Sequence, residues 1–212
     1  MIVTVTSEAD NPISACQTWW MNALKHPVLQ TPLNGPWPEN VEFAYFGMGC
    51  FWGAERLFWQ TDGVYSTSVG YQGGHIDRPD YDAVCRGDSG HAEVVRVVYD
   101  PKVVDYRTLL KVFWENHDPT QGMRQGNDIG AQYRSVIYTA NDKQQKRAEK
   151  SRDAFAPVVA NAGRGEITTH IGPADTYWIA EDLHQQYLYW NPGGYCNHGP
   201  NGMSCPIGVA GR

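Results

Sequence analysis

Several features that announce large classes of protein are missing from this sequence. No apolar run approaches the roughly twenty residues that cross a bilayer, and Met1 to Asp10 carry neither the basic start nor the apolar stretch of an export signal. Both absences lead us to expect a cytoplasmic chain that stays off the membrane. Positive charge is scarce: 17 Lys and Arg against 23 Asp and Glu leave a formal net charge of −6 with no basic run, so an electrostatic nucleic-acid footprint is excluded. The 5 cysteines, at positions 16, 50, 85, 196 and 205, are odd in number and far too sparse for a disulfide-stapled scaffold. In a reducing compartment, cysteines that meet in space point to catalysis or metal binding. There is no internal repeat and no low-complexity segment.

What is present suits one good-sized domain with an arm, since 212 residues can bury a real core. Residues 1–40 read as an arm: a short helix from Ser14 to Leu24, then the proline-rich His26 to Pro38. Trp19, Trp20 and Trp37 predict that this arm is docked. Residues 41–212 form the domain proper. Strands are predicted over Val41–Phe46, Val64–Tyr71, Ala92–Asp100, Gln132–Thr139 and Ile167–Ile171. Helices are predicted from Phe51, over Tyr106–Asn116, over Asp142–Phe155 with Asn141 as N-cap, and over Glu181–Tyr189. This alternation predicts an α+β sandwich, with helices on a mostly antiparallel or mixed sheet. From about 191 the chain turns glycine-rich and aperiodic, a segment able to move its cysteines.

The stretch Gly49-Cys50-Phe51-Trp52-Gly53-Ala54-Glu55 sets a cysteine on a tight turn between a strand and a helix. Phe51, Ala54, Leu57 and Phe58 recur at helical spacing and leave Glu55 and Arg56 for the opposite face. Cys50 is thereby placed at a helix N-terminus, where free N–H groups and the helix dipole stabilise an anion and predict a lowered thiol pKa. A cysteine among aromatics also suits a small buried hydrophobe; the flanking glycines favour the reactive reading.

Glu93 opens a β-branched strand, and alternation puts it on one face with Val95 and Val97. On a buried face it would lose solvation, hold its proton near neutral pH and serve as a general acid; at a wet edge it would do neither. Tyr81, in a loop after Pro79, and Tyr133, at the start of a strand, are candidate neutral hydrogen-bond donors or half-buried structural tyrosines. His75, His91, His117, His184 and His198 are scattered, with no spacing that announces a metal site or a triad.

These stretches, with Gly90-His91-Ala92-Glu93, Asn116-His117-Asp118-Pro119-Thr120, Gln125 to Ser135 and Gly194-Tyr195-Cys196, resemble the A-type methionine sulfoxide reductases in order from about Val41 to Cys205. The resemblance implies a two-layer α/β sandwich with a ferredoxin-like core and a mixed sheet. It also implies reduction of the S-epimer of methionine sulfoxide, free or in oxidised proteins and peptides, without cofactor or metal. Cys50 matches the family's nucleophile and Glu93 its acid. Tyr81 and Tyr133 match phenols that hold the sulfoxide oxygen, Phe51 and Trp52 the pocket for the ε-methyl group, and Asp128 an acidic residue of the same site. Cys196 matches the resolving cysteine and Cys205 the recycling one, with thioredoxin as reductant and a monomer expected. Cys85 reads as a bystander, and Trp190 stands where the family more often has lysine.

Two readings compete. In one, Cys196, His198, Cys205 and His184 or Cys85 form a structural zinc site, although no Cys-x-x-Cys supports it. The other is a cysteine hydrolase in which His91 or His117 serves Cys50 as base, which leaves the two tail cysteines without purpose.

Overall fold

The computed structural model describes residues 25–208. The expected helix at Ser14–Leu24, Trp19, Trp20 and Cys16 lie outside the described residues. The framework is β1 (Glu42–Met48), α1 (Phe51–Trp59), β2 (Val64–Gln72), β3 (Ala92–Tyr99), α3 (Tyr106–Glu115) and β6 (Ser135–Thr139), with α2 (Tyr81–Cys85) between β2 and β3. The strands lie in the order β6-β1-β3-β2, all antiparallel, which is the βαββαβ arrangement of a ferredoxin-like core. Two short strands extend the edges. β7 (His170–Pro173) pairs parallel with β6, which makes the sheet mixed, and β8 (Trp178–Ile179) pairs antiparallel with β2.

Side-chain alternation decides the layering. Ala44, Phe46 and Met48 of β1 and Val95, Val97 and Tyr99 of β3 face one way, into the main core with α1 and α3. Phe46 is fully buried between Phe58 at 4.9 Å and Phe113 at 5.6 Å between ring centroids. Truncating such a ring to alanine costs about 3–5 kcal/mol. α3 presents Tyr106, Leu109, Leu110, Phe113 and Trp114 to this core, and Asp105 caps it by accepting from Arg107 N at 3.1 Å. α4 (Asp142–Asn161) is capped by Asn141, which accepts from Gln144 N at 3.0 Å. It runs past the expected end at Phe155 and through Pro157, because Val159 is buried in the same core.

The opposite face of the sheet carries a smaller cluster around Val94, Val136 and Tyr138. Residues 25–40 wrap from the α1 side of the sheet, where His26 packs on Trp59 at 5.8 Å between ring centroids, to this opposite face, where Arg96 meets Leu33 and Trp37. His26 is buried with its Nε2 2.9 Å from Thr67 Oγ1, and Thr31 Oγ1 donates to Tyr65 O at 2.6 Å. Arg96 donates to Leu33 O at 3.1 Å and stacks on Trp37 and Tyr177, with its guanidinium carbon 5.4 and 4.9 Å from the ring centroids.

Several local expectations differ from the structure. Tyr81 begins α2, capped by Asp80, instead of lying in a loop. Tyr133 ends a 3-10 turn, Ala131–Tyr133, and β6 starts two residues later. Before that turn, β4 (Arg124–Gln125) and β5 (Asp128–Ile129) form a small hairpin too short for any periodicity to reveal. The expected strand at Ile167–Ile171 lies at His170–Pro173. The expected helix over Glu181–Tyr189 is broken into a 3-10 turn, Asp182–His184, and α5 (Tyr187–Trp190). Gln186 sits between them at φ 49°, held there by bonds from its backbone N and its Nε2 to Glu55 at 2.9 and 2.7 Å. Glu55 is therefore fully buried, not left on an open face as its helical position suggests. Burial raises its pKa to about 7, while its bonds to Gln186 and Thr67 work the other way.

Candidate active site

The turn before Cys50 needs its glycine. Gly49 has φ +102°, and a Cβ there would lie 2.6 Å from Gln125 Cβ. The chain then enters α1 with Cys50 as the N-cap residue, its side chain making no cap hydrogen bond, and the backbone N–H groups of Trp52 and Gly53 in the first turn favour its thiolate. Those N–H groups lower the thiol pKa, as the helix-terminus argument predicts. They are outweighed: burial, then the neighbouring Glu93, then Asp128 push the Cys50 thiol well above its ordinary range. The expected lowered thiol pKa is thus reversed in the resting site, because Cys50 is 7% exposed and faces carboxyl groups.

Glu93 sits on the helix-covered face of β3, 2% exposed, so the buried alternative is the one realised. Its Oε2 accepts from Phe51 N at 2.9 Å, which ties the carboxyl to the first turn of α1. Burial pushes its pKa up to about 8, opposed by the Phe51 bond and assisted by Asp128. At neutral pH Glu93 is therefore mostly a protonated acid beside a protonated thiol.

One cavity of about 210 Å³ brings together Cys50, Phe51, Trp52, Tyr81, Glu93, Asp128 and Tyr133, with Tyr195 from the tail. Phe51 packs against Tyr71 and His184, and Trp52 stacks on Tyr187 at 4.0 Å while its Nε1 donates to His184 Nδ1 at 3.2 Å. His184 also packs on Tyr81 at 4.6 Å. Glu181 anchors the wall by accepting from Tyr81 N at 2.8 Å and Tyr71 OH at 2.9 Å. Burial raises the phenol pKa of both Tyr81 and Tyr133, so both remain donors. A larger cavity of about 450 Å³, beside Arg107, Arg147 and Lys150, contains none of these groups.

The tail closes the site. Asp128 accepts from Tyr195 OH at 3.0 Å and from Asn197 Nδ2 at 2.8 Å, so it latches the tail as well as lining the cavity. Cys196 is half-buried against α1, where Arg56 Nη2 donates to its sulfur at 3.0 Å. It lies outside the cavity but one helical turn beyond Cys50: a Cβ on Gly53 would come within 2.8 Å of Cys196 Sγ. Cys205 is not brought to the site. It is 2% exposed in the main core, with its N–H donating to Glu115 and its carbonyl accepting from Lys111 Nζ. Tyr195 lines the cavity although sequence reasoning gave it no role of its own; its usable signal was its place beside Cys196 in the Gly194-Tyr195-Cys196 motif. His184, weighed in the sequence only as a possible zinc ligand, instead backs the aromatic wall behind Phe51, Trp52 and Tyr81.

The competing readings lack geometry. Among the described residues no group of three or more His, Cys, Asp and Glu could hold a metal ion. His91 places its ring nitrogens against Gly74 N and Ile76 O, and His117 against Phe113 O and Ser135 Oγ, so neither is aimed at Cys50.

Comparison with known proteins gives the family. The family described as Peptide methionine sulfoxide reductase matches residues 42–204. The chain belongs to that family. Among peptide methionine sulfoxide reductases, MsrA of Salinispora arenicola is 68% identical over 188 residues, covering 88% of this chain and 86% of that one. Methionine sulfoxide reductase A of Corynebacterium diphtheriae superposes with a TM-score of 0.71 at 46% identity, over 89% of this chain and 97% of that one. Mxr1 from Saccharomyces cerevisiae in reduced form gives 0.70 at 34% identity, over 80% and 91%. Mxr1 has also been solved in complex with Trx2.

Proposed function

We propose that this enzyme reduces the S-epimer of methionine sulfoxide, in proteins, peptides or free, to methionine through a Cys50 sulfenic acid. The observation that carries the reading is the sharing of one aromatic-walled cavity by a thiol and a carboxylic acid that holds its proton at neutral pH. The sulfoxide oxygen sits among Tyr81 OH, Tyr133 OH and Glu93, and the methyl group rests against Phe51 and Trp52. Hydrogen bonding and proton donation from Glu93 make the sulfoxide sulfur electron-poor, which stabilises the Cys50 thiolate as it forms and attacks. The S–O bond breaks, the sulfoxide is reduced to the thioether, and Cys50 is oxidised to S–OH. Fixed donors on one side and aromatic walls on the other discriminate between the two configurations at sulfur.

Cys196 then attacks the sulfenic sulfur, forming a disulfide and releasing water. Cys205 exchanges with that disulfide, and thioredoxin reduces the resulting Cys196–Cys205 pair. Because Cys205 is buried, this exchange requires the tail to leave Glu115 and Lys111. Gly193, Gly199 and Gly202 have open space where a Cβ would stand, so the docked tail is not packed against them and can rearrange. The sparse, odd cysteine set supports work in the cytoplasm, and we take the functional unit to be a monomer.

The test is a single-turnover assay with the separate S- and R-epimers and fully reduced protein, counting methionine formed and thiols lost without added reductant. Methionine from the S-epimer alone, with thiols lost in pairs, is the expected result. Equal product from both epimers, or product without thiol loss, sinks the reading.

A further inference from the structure

His198 is half-buried as a residue, yet its Nδ1 is sealed from solvent with no hydrogen-bond partner. Its Nε2 lies 2.7 Å from Met48 O. A carbonyl only accepts, so Nε2 carries the proton and Nδ1 presents a bare lone pair. The ring is wedged against the segment that carries Cys50. A Cβ on Gly49 would lie 3.6 Å from His198 Nε2, and a Cβ on Gly53 would run into His198 Nδ1 while meeting Cys196 Sγ at 2.8 Å. The absence of side chains at both glycines makes room for one imidazole and one thiol side by side. A buried acceptor left unpaired is costly, so the arrangement calls for a donor.

We infer that His198 Nδ1 is the base of the resolving step, accepting the Cys196 thiol proton as Cys196 attacks Cys50. The inference rests on the proposed reductase chemistry and assigns its second half. In the reduced protein the Cys196 thiol has only a long contact, 3.8 Å, to the His198 carbonyl oxygen, while Arg56 donates to its sulfur. Rotation about its Cβ–Sγ bond re-aims the S–H toward the Nδ1 side while the sulfur stays beside the guanidinium. As the S–S bond forms, the sulfenic S–O bond breaks. The departing hydroxide takes the proton back from the imidazolium and leaves as water, so no outside oxidant or reductant enters. The titratable and charged groups facing His198 are the Arg56 guanidinium on α1, the neutral His117 imidazole after α3 and the Cys196 thiol on its own segment. Burial and Arg56 hold the free imidazole at a pKa of about 4, so it is neutral and able to accept throughout the working range; a thiolate forming beside it offsets the cost of charging it.

The test uses the full chain, one equivalent of the S-epimer and no reductant, and follows methionine formation, sulfenic acid trapped by a cyclic 1,3-diketone, and disulfide by mass spectrometry. His198→Gln retains an amide N–H to reach Met48 O but removes the base. We expect methionine to form within about threefold of the wild-type rate, and sulfenic acid to accumulate as disulfide formation slows about 100-fold. The slowed step should speed up as buffer base is raised at fixed pH, where the wild type is unaffected, because the proton must then go to a base from solvent. Added imidazole should restore it in His198→Ala, whose vacated site admits the ring. Disulfide formation at the wild-type rate in His198→Gln overturns the inference. So does an equal slowing of both steps with no imidazole rescue, since that marks a purely structural role. Wild-type protein that forms no methionine removes the reductase reading itself, and the inference with it; the wild-type control identifies that failure.

Discussion

Replacing Glu93 with glutamine should slow the enzyme and stabilise it, and both effects come from one burial. The carboxyl is 2% exposed, and its pKa stands at about 8 against 4.5 for a free glutamic acid. Because the folded value is the higher one, the folded state holds this proton over a window in which the unfolded chain has released it. Stability is therefore unaffected below about pH 4.5, declines as pH rises through 4.5 to 8, and levels off above. Linkage makes the decline from pH 5 to pH 8 about 3 kcal/mol for this one group. Glutamine does not titrate and its amide oxygen still accepts from Phe51 N. The difference in unfolding free energy between E93Q and wild type should thus grow by about that amount from pH 5 to pH 8 in urea denaturation. In the same variant the single-turnover rate of methionine formation at pH 7 should fall about 100-fold or more, because the departing oxygen loses its proton donor. A stability difference that stays constant with pH would refute the buried protonated acid. An unchanged single-turnover rate would move the proton donation to Tyr81, Tyr133 or water.

Cys50→Ser should abolish sulfoxide reduction even with a small thiol as reductant; any retained turnover removes Cys50 as the nucleophile. Cys205→Ser should leave one round of methionine formation intact and slow thioredoxin-driven turnover, so unchanged steady-state kinetics would refute its recycling role. Gly53→Ala adds a methyl where His198 Nδ1 and Cys196 Sγ already crowd. The alanine favours the helix intrinsically by about 1 kcal/mol, yet the tail should undock. Cleavage near 196 in limited proteolysis should speed up and disulfide formation should slow, and a variant with wild-type tail protection would show that the contact yields easily.

Much of the architecture was legible because it is written locally. Asn141 caps its helix through its own side chain, the 3.6-residue spacing of Tyr106, Leu109, Leu110 and Phe113 marks α3, and alternation along β3 pairs Glu93 with Val95. Cys50 on a glycine turn ahead of a helix is likewise a nearest-neighbour fact, and the ordered family motifs carried the site residues with it. The elements that escaped are those whose shape depends on a distant partner. The helix expected over Glu181–Tyr189 breaks because Gln186 answers to Glu55, 131 residues away in sequence. The hairpin at 124–129 is two residues per strand and has no period to detect.

The same division runs through the chemistry. Residue identity determined that a thiol, a carboxylic acid and phenols exist at these positions, and the helix N-terminus determined that N–H groups point at Cys50. Only the tertiary structure decided which influence prevails. Two backbone N–H groups lower the Cys50 pKa, but the burial and the Glu93 and Asp128 carboxyls assembled by the fold raise it further. Desolvation is a property of what surrounds a group, not of its neighbours in sequence, and so are the pairing of Cys196 with Arg56 and the sealed lone pair of His198.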